Sequence, residues 1–316
     1  MARQNYFVGN AVMMKRKIRY FLYAANYLFK TKICRQNIPF IGGLVINDKC
    51  NLRCKHCGVA NRSIPDLTYK DIETGLRVFY NKGIRSVFIE GGEPFLWRDG
   101  DYELEDVVKL ARKTGFHLVS IYTNGTFPIE TSTDSVFVSL DGLRDTNNHL
   151  RGNYFDRVIR NIRNSKHPNI IINFTINSMN QSEIEEFCNE MSKLKQVKGV
   201  FFYFHTPYYG FDELFLNLDE KKKIIKRIIT LKRKGYKIFN SFACLKGVCK
   251  DNWVRPSEIC YVYADKKLYQ CCRAFGNDDA CRNCGYLGYP EIIYILKLKP
   301  SAVISALNYL PRDTIH

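Results

Sequence analysis

The strongest constraint on this chain is an alternation of strand-like and helix-like segments that runs from residue 40 to residue 235. "FIGGLVIN" (40–47) reads as a buried strand, and "TYKDIETGLRVFYNKG" (68–83) as a helix closed by Gly83. The pattern continues with strands at 86–90, 116–125, 135–142, 169–177 and 199–207. Helices are expected at 102–115, 154–164, 182–195 and 219–235. Six strand–helix units in sequence predict an α/β fold with a parallel sheet and helices outside it. Six are too few for the eight-fold barrel, so a partial (β/α)6 barrel is expected. In such barrels chemistry gathers at the C-terminal strand ends. Here those ends carry a cysteine-rich loop, the segment GGEP, Thr123–Asn124–Gly125, Ser139 with Asp141, and His205, while Asn173 and Thr175 lie in the fifth strand.

The loop after the first strand, "DKCNLRCKHCGVANR" (48–62), holds Cys50, Cys54 and Cys57 in the spacing C-x3-C-x2-C. A structural zinc takes four ligands, usually as two separated pairs. His56 is the nearest fourth donor, but it is wedged between two cysteines and would strain the loop. A disulfide framework fits poorly with 316 residues, 12 cysteines and no signal peptide. Three thiolates on three irons of a 4Fe–4S cube, with the fourth iron open to a ligand, account for the triplet better.

After residue 235 the periodic pattern stops and cysteines become dense: Cys244, Cys249, Cys260, Cys271, Cys272, Cys281 and Cys284. The expected organisation is therefore an N-terminal region over 1–39, a core over 40–235 and a cysteine-rich extension with a C-terminal helix over 236–316. Residues 12–32 space Met14, Ile18, Phe21, Ala25 and Leu28 along one helical face beside Lys15, Arg16 and Arg19. That face either packs on the core or lies on a membrane. The formal net charge of +17 points to an anionic neighbour or to a solvated lysine-rich surface. No apolar run approaches the roughly 20 residues of a membrane span.

With the triplet, "GGEP" (91–94) and the six units in view, residues 40–235 resemble the radical S-adenosylmethionine (SAM) superfamily. The resemblance implies an enzyme that binds SAM on the open iron of a 4Fe–4S cluster and cleaves it reductively to a 5′-deoxyadenosyl radical. Cys50, Cys54 and Cys57 would hold that cluster, and the backbone around Gly91, Gly92, Glu93 and Pro94 would bind the SAM amino group. "VSLDG" (138–142) and "NNHLRGNYFDRVIRNI" (147–162) are similar to the branch with C-terminal cysteine-rich extensions. By that likeness Ser139 and Asp141 lie near SAM, Arg151 pairs with its carboxylate, and Asn124 and Asn173 are further candidates for the ribose and adenine.

The segment 260–284 resembles the half-length form of this extension, the twitch domain, of the SPASM/twitch type, which holds one auxiliary 4Fe–4S cluster. Cys260, Cys271, Cys281 and Cys284 would be its ligands, with Cys272 as an alternative to Cys271 and zinc as an alternative metal. Lys266 stands where that pattern has a glycine. More faintly, residues 236–261 resemble adenosylhopane synthase through Asn240, Ser241, Cys249, Trp253 and Pro256. A lipid or isoprenoid substrate at the membrane surface is therefore expected, with modification of a ribosomally made peptide as the alternative. A ferredoxin or flavodoxin would supply the electron. A zinc-stabilised nucleic-acid-binding protein is the reading from another class, but no nucleic-acid motif supports it. The expected location is the cytoplasm, with peripheral attachment to the inner face of the membrane.

Overall fold

The expected strands form because each is a short apolar run with burial on both faces, which only a sheet covered by helices accommodates. In the computed structural model, which describes residues 22–251 and 257–309, these are β1 (Ile41–Val45), β2 (Ser86–Glu90), β5 (Leu118–Thr123), β6 (Ser135–Ser139), β7 (Ile170–Ile176) and β8 (Val197–Phe204). All pair in parallel, in the spatial order β1-β2-β5-β6-β7-β8. Between β2 and β5 the chain inserts a two-strand pair, β3 (Arg98–Asp99) and β4 (Tyr102–Glu103), too short to show in the sequence.

The covering helices are α2 (Tyr69–Asn81), α3 (Leu104–Thr114), α4 (Arg144–Arg151), α5 (Phe155–Asn164), α6 (Ile184–Ser192) and α7 (Leu218–Arg233). Their starts are set by local chemistry. Thr68 and Asp71 cap α2 reciprocally, and Asn217 and Glu220 do the same for α7. Gly115, in the left-handed region at φ +106°, ends α3.

Beyond α7 the chain does not leave the barrel. Ile238 bridges to Val200, and α8 (Phe242–Cys249) packs on α7. Then β9 (Cys260–Ala264) pairs in parallel with β1, and β10 (Lys267–Gln270) pairs antiparallel with β9, so one eight-stranded sheet runs through both cysteine regions. The β9–β10 turn has Asp265 at φ +49° and Lys266 at φ +57°. Lys266 thus takes the left-handed backbone that a glycine would adopt without cost.

The short helix α9 (Asp278–Arg282) follows. The expected C-terminal helix is instead two, α10 (Gly288–Leu296) and α11 (Pro300–Tyr309). Leu298 lies at φ +52°, and Pro300 has no N–H to continue the ladder. The Tyr309 ring inserts among Phe137, Phe201 and Phe239 beneath the barrel. Its carbonyl accepts from Asn169 Nδ2 at 2.9 Å, near the N-terminal end of β7.

At the other terminus residues 22–28 are helical (α1) and run into a π-turn, Phe29–Ile33. This segment docks through tyrosines. Tyr27 is buried and donates to Ile38 O at 2.7 Å, and Tyr23 meets His117 edge-on. Leu22, Phe29 and Ile33 remain exposed, as does Ala25. Met14, Ile18, Phe21 and the basic residues beside them lie outside the described residues.

Candidate active site

The triplet loop is held by side chains of its own and by contacts from the barrel. Asn61, at φ +58°, accepts from Cys50 N at 3.0 Å and donates to Leu52 O at 2.9 Å. Asp48 accepts from Arg62 N at 2.6 Å, and Lys55 N donates to Leu150 O at 2.9 Å. Asn124 Nδ2 reaches Asn51 Oδ1 at 2.9 Å and lies 3.6 Å from Cys50 Sγ. Burial raises the Cys50 thiol, and it pushes Cys54 to about 11. The free loop therefore keeps protons that metal binding must displace.

Gly91 and Gly92 are where the loop presses on the strand end. A Cβ on Gly91 would sit 2.0 Å from Asn47 Oδ1, and one on Gly92 would sit 2.2 Å from Lys49 O. Gly92 N donates to Asn47 O and Glu93 N to Lys49 O, at 2.9 and 2.8 Å. The missing side chains make room for the protein's own cysteine loop. Glu93 turns inward and is fully buried. It accepts from Thr123 Oγ1 at 2.8 Å, Asn124 N at 2.7 Å and Phe95 N at 3.2 Å. Burial raises it to about 7, against those hydrogen bonds. Pro94, itself buried, begins a 3-10 turn. Glu93 and Pro94 are thus braces behind the site, because the extended backbone at Glu93 turns its carboxylate away from the cavity.

Asp141 is likewise fully buried, beneath the wall. Its Oδ2 pairs with Arg151 Nε at 2.5 Å and His56 Nε2 at 3.2 Å, and its Oδ1 accepts from Thr175 N at 2.6 Å. Burial raises the carboxyl, but Arg151 and His56 more than offset it and leave it at about 2. The ion pair keeps Arg151 charged and pins it 3.9 Å from Cys54 Sγ.

A cavity of about 710 Å³ opens at the C-terminal strand ends. Cys50, Cys54, Cys57, Gly91, Gly92, Asn124, Ser139, Arg151 and Asn173 are on its wall. So are Cys271, Cys272, Cys281 and Cys284, which places both cysteine groups around one space. Cys260 is not on the wall. It is fully buried on β9, where Tyr289 covers it and burial pushes its thiol to about 12. Next to it Cys271, at φ +65°, donates its N–H to Cys260 O at 2.8 Å, while Tyr289 Oη donates to Cys271 O at 2.9 Å. A hydrogen bond between the neighbouring thiols raises Cys271 and lowers Cys272 to about 7. Cys244 and Cys249 face elsewhere, toward Leu287 O and Lys222 O.

The wall suits a polar ligand and a cluster. Asn173 Oδ1 and His56 Nδ1 are buried without a partner among the described residues. No three His, Cys, Asp or Glu side chains among the described residues converge on a single metal ion. A zinc tetrahedron, with ligands about 2.0–2.3 Å from one ion, is thus not preformed.

Asn240 and Ser241, which carried the faint likeness to adenosylhopane synthase, are spent on the fold. Asn240 exchanges hydrogen bonds with both backbone groups of Phe202, at 2.8 and 3.0 Å, and Ser241 caps α8. Trp253 and Pro256 lie outside the described residues. The wall also holds His56 of the triplet loop and residues that no motif marks: Glu90, Arg273 and the tyrosines 122, 203, 208, 286 and 289. Inward alternation along β2, β5 and β8 was the available signal for Glu90, Tyr122 and Tyr203. His205, at the end of β8, is oriented by Asp212, 2.9 Å from its Nε2.

Residues 44–189 match the family model described as the radical SAM superfamily, and the chain carries a domain of that superfamily. Such domains use a 4Fe–4S cluster and SAM. Fe-coproporphyrin III synthase of Methanosarcina barkeri is 29% identical over 205 residues, covering 59% of this chain and 50% of that protein. Pre-heme d1 synthase of Dinoroseobacter shibae is 30% identical over 179 residues, covering 51% and 42%. This chain therefore spans half or less of the length of these two relatives. In fold it is similar to SuiB of Streptococcus suis bound to its precursor peptide SuiA, at a TM-score of 0.61 and 17% identity, covering 82% of this chain and 66% of that one. It is also similar to anSMEcpe with bound AdoMet and the Kp18Cys peptide, at a TM-score of 0.56 and 18% identity, covering 86% and 84%. Among the described residues no helix is long and apolar enough to cross a membrane.

Proposed function

We propose that this chain is a radical SAM enzyme that modifies a peptide bound between two iron–sulfur clusters. The observation that carries the reading is the single cavity onto which both cysteine groups open. Bound at Cys50, Cys54 and Cys57, a 4Fe–4S cluster would supply the electron that breaks a carbon–sulfur bond of SAM, giving a carbon radical that takes hydrogen from the substrate.

The chain's own residues bind and orient. Asn61, Asp48 and Asn124 set the loop. Asp141 holds Arg151 as a fixed positive charge for the SAM carboxylate, and Ser139, Asn124 and Asn173 offer polar atoms to the ribose and adenine. Cys271, Cys281 and Cys284, with Cys260 or Cys272, supply four thiolates for an auxiliary cluster. A peptide is favoured because two proteins of similar fold, SuiB and anSMEcpe, have been seen with peptides bound. A reductant of the ferredoxin or flavodoxin type completes the system.

A lipid substrate at a membrane surface is the second reading. It is favoured by exposed apolar side chains at both termini: Leu22, Phe29 and Ile33, and Leu298, Ile304 and Leu307. The deciding experiment uses the full chain, reconstituted anaerobically with iron and sulfide and supplied with SAM and dithionite. Formation of 5′-deoxyadenosine is expected, and its absence in a cluster-loaded preparation would remove the radical SAM reading. Sedimentation with anionic but not neutral vesicles, weakening as salt rises, would move the substrate toward lipid.

A further inference from the structure

The cavity wall between the two cysteine groups carries a carboxylate with no partner. Glu90 is the last residue of β2. Phe88 and Glu90, two apart, both face the cavity, while Ile89 between them is fully buried on the other side. The Glu90 side chain makes no hydrogen bond or ion pair with any described residue. Tyr122, Tyr208 and Tyr286 line the same cavity, and the Glu90 charge raises all three phenols. Tyr203 completes the surround, and its hydroxyl lies 3.1 Å from that of Tyr122. The two share one hydrogen bond, and neither hydroxyl bonds to Glu90.

A half-buried carboxylate on a cavity wall shared with aromatic rings, and without a donor among the described residues, is costly. The cost is removed by a ligand that brings positive charge. Aromatic faces add to that preference, because the negative face of each ring attracts a cation. A carboxylate or phosphate placed there would meet Glu90 as a like charge. Arg273 lines the same cavity and pulls the Glu90 carboxyl down against the upward push of burial, yet the two form no ion pair. The space at Glu90 is therefore open to a substrate group.

We propose that Glu90 and the surrounding tyrosines form a subsite for an organic cation, the primary ammonium or guanidinium of a peptide substrate. This deepens the peptide reading and rests on it. The selectivity follows from charge: a neutral side chain of the same length gains the ring contacts but not the ion pair.

The test measures binding, by calorimetry on the cluster-loaded full chain. The probes are Nα-acetyl-lysine N-methylamide and its neutral counterpart, Nα-acetyl-norleucine N-methylamide. About a tenfold preference for the lysine probe is expected, falling to within about twofold in Glu90→Gln. The lysine probe should still bind at saturating SAM. Equal affinity for the two probes, an undiminished preference in E90Q, or displacement of the lysine probe by SAM overturns the subsite. If E90Q fails to retain iron, the preference of the unaltered protein decides alone, and a preference below about twofold overturns it. Production of 5′-deoxyadenosine by the same unaltered preparation tests the radical SAM reading separately. Cleavage without probe preference sinks the subsite and leaves that reading standing. Probe preference without cleavage does the reverse.

Discussion

The two cysteine regions sit on one sheet but are built in opposite ways. The Cys50–Cys57 loop has no helix or strand of its own; besides its own Asn61 and Asp48 it is held from outside, by Asn124 after β5, by the carbonyl of Leu150 on α4, and through the backbone of residues 91–93. The Cys260–Cys284 segment has regular structure of its own, the β9–β10 hairpin and the Asn277-capped α9, and is tied to the rest of the fold by β9 pairing with β1 and by the Tyr289 hydroxyl of α10 on Cys271. The first therefore has no regular structure to fall back on when the barrel's long-range contacts fail, whereas the second keeps its hairpin and capped helix. Damage to the barrel should reach the first site before the second.

Replacing each cysteine group in turn gives the largest contrast. Alanine at Cys50, Cys54 and Cys57 together should abolish 5′-deoxyadenosine formation, a loss of at least about a thousandfold, and leave roughly four irons in the extension. Alanine at Cys260, Cys271, Cys272, Cys281 and Cys284 should also leave roughly four irons, now on the loop, with SAM cleavage retained. Iron analysis after anaerobic reconstitution checks both. Stoichiometric zinc in the first variant would make the extension a structural metal site.

A smaller effect separates the barrel's hold on the loop from the ligands themselves. In Gly92→Ala the new methyl meets the Lys49 carbonyl, and since backbone stands on both sides neither yields easily. The expected cost is about 2–4 kcal/mol, read as a lower urea midpoint, together with loss of iron from the loop but not from the extension. Equal loss from both regions would contradict the asymmetry.

The smallest effect is a pH dependence. Glu93 is raised from 4.5 to about 7, chiefly by burial. The fold prefers its protonated form. Its contribution to stability is therefore complete below pH 4.5 and is lost as pH rises through 7. Between pH 5 and 8 the unaltered protein should lose roughly 3 kcal/mol through this group, and Glu93→Gln, which cannot ionise, should lose none of it. Parallel unfolding curves for the two proteins across that range would show that Glu93 does not titrate as described.

Much of the fold was legible because parallel strands buried on both faces leave unbroken apolar runs, such as "IIINFTI" in β7. The triplet was legible because ligand spacing is a local property. Helix α4, "RDTNNHLR", was not read as a separate element, since only Asn147 and Leu150 along it are buried and no apolar stripe marks it. The break between α10 and α11 turned on the backbone of one leucine. The glycines of GGEP were visible as places of close approach, but what approaches them is the loop at Asn47 and Lys49.

By itself the sequence determined the six parallel strands, the position of the cysteine triplet after the first of them, and the presence of a second cysteine group, because periodicity and spacing act over short stretches of chain. Only the tertiary structure decided that Glu93 and Asp141 brace the site from behind, that Cys260 is buried while Cys272 reaches the wall, and that Glu90 stands unpaired among tyrosines from distant segments. Those outcomes depend on which groups meet across the barrel. A side chain's direction and its partners are set when the sheet, its helices and its loops pack together, and no local pattern records that packing.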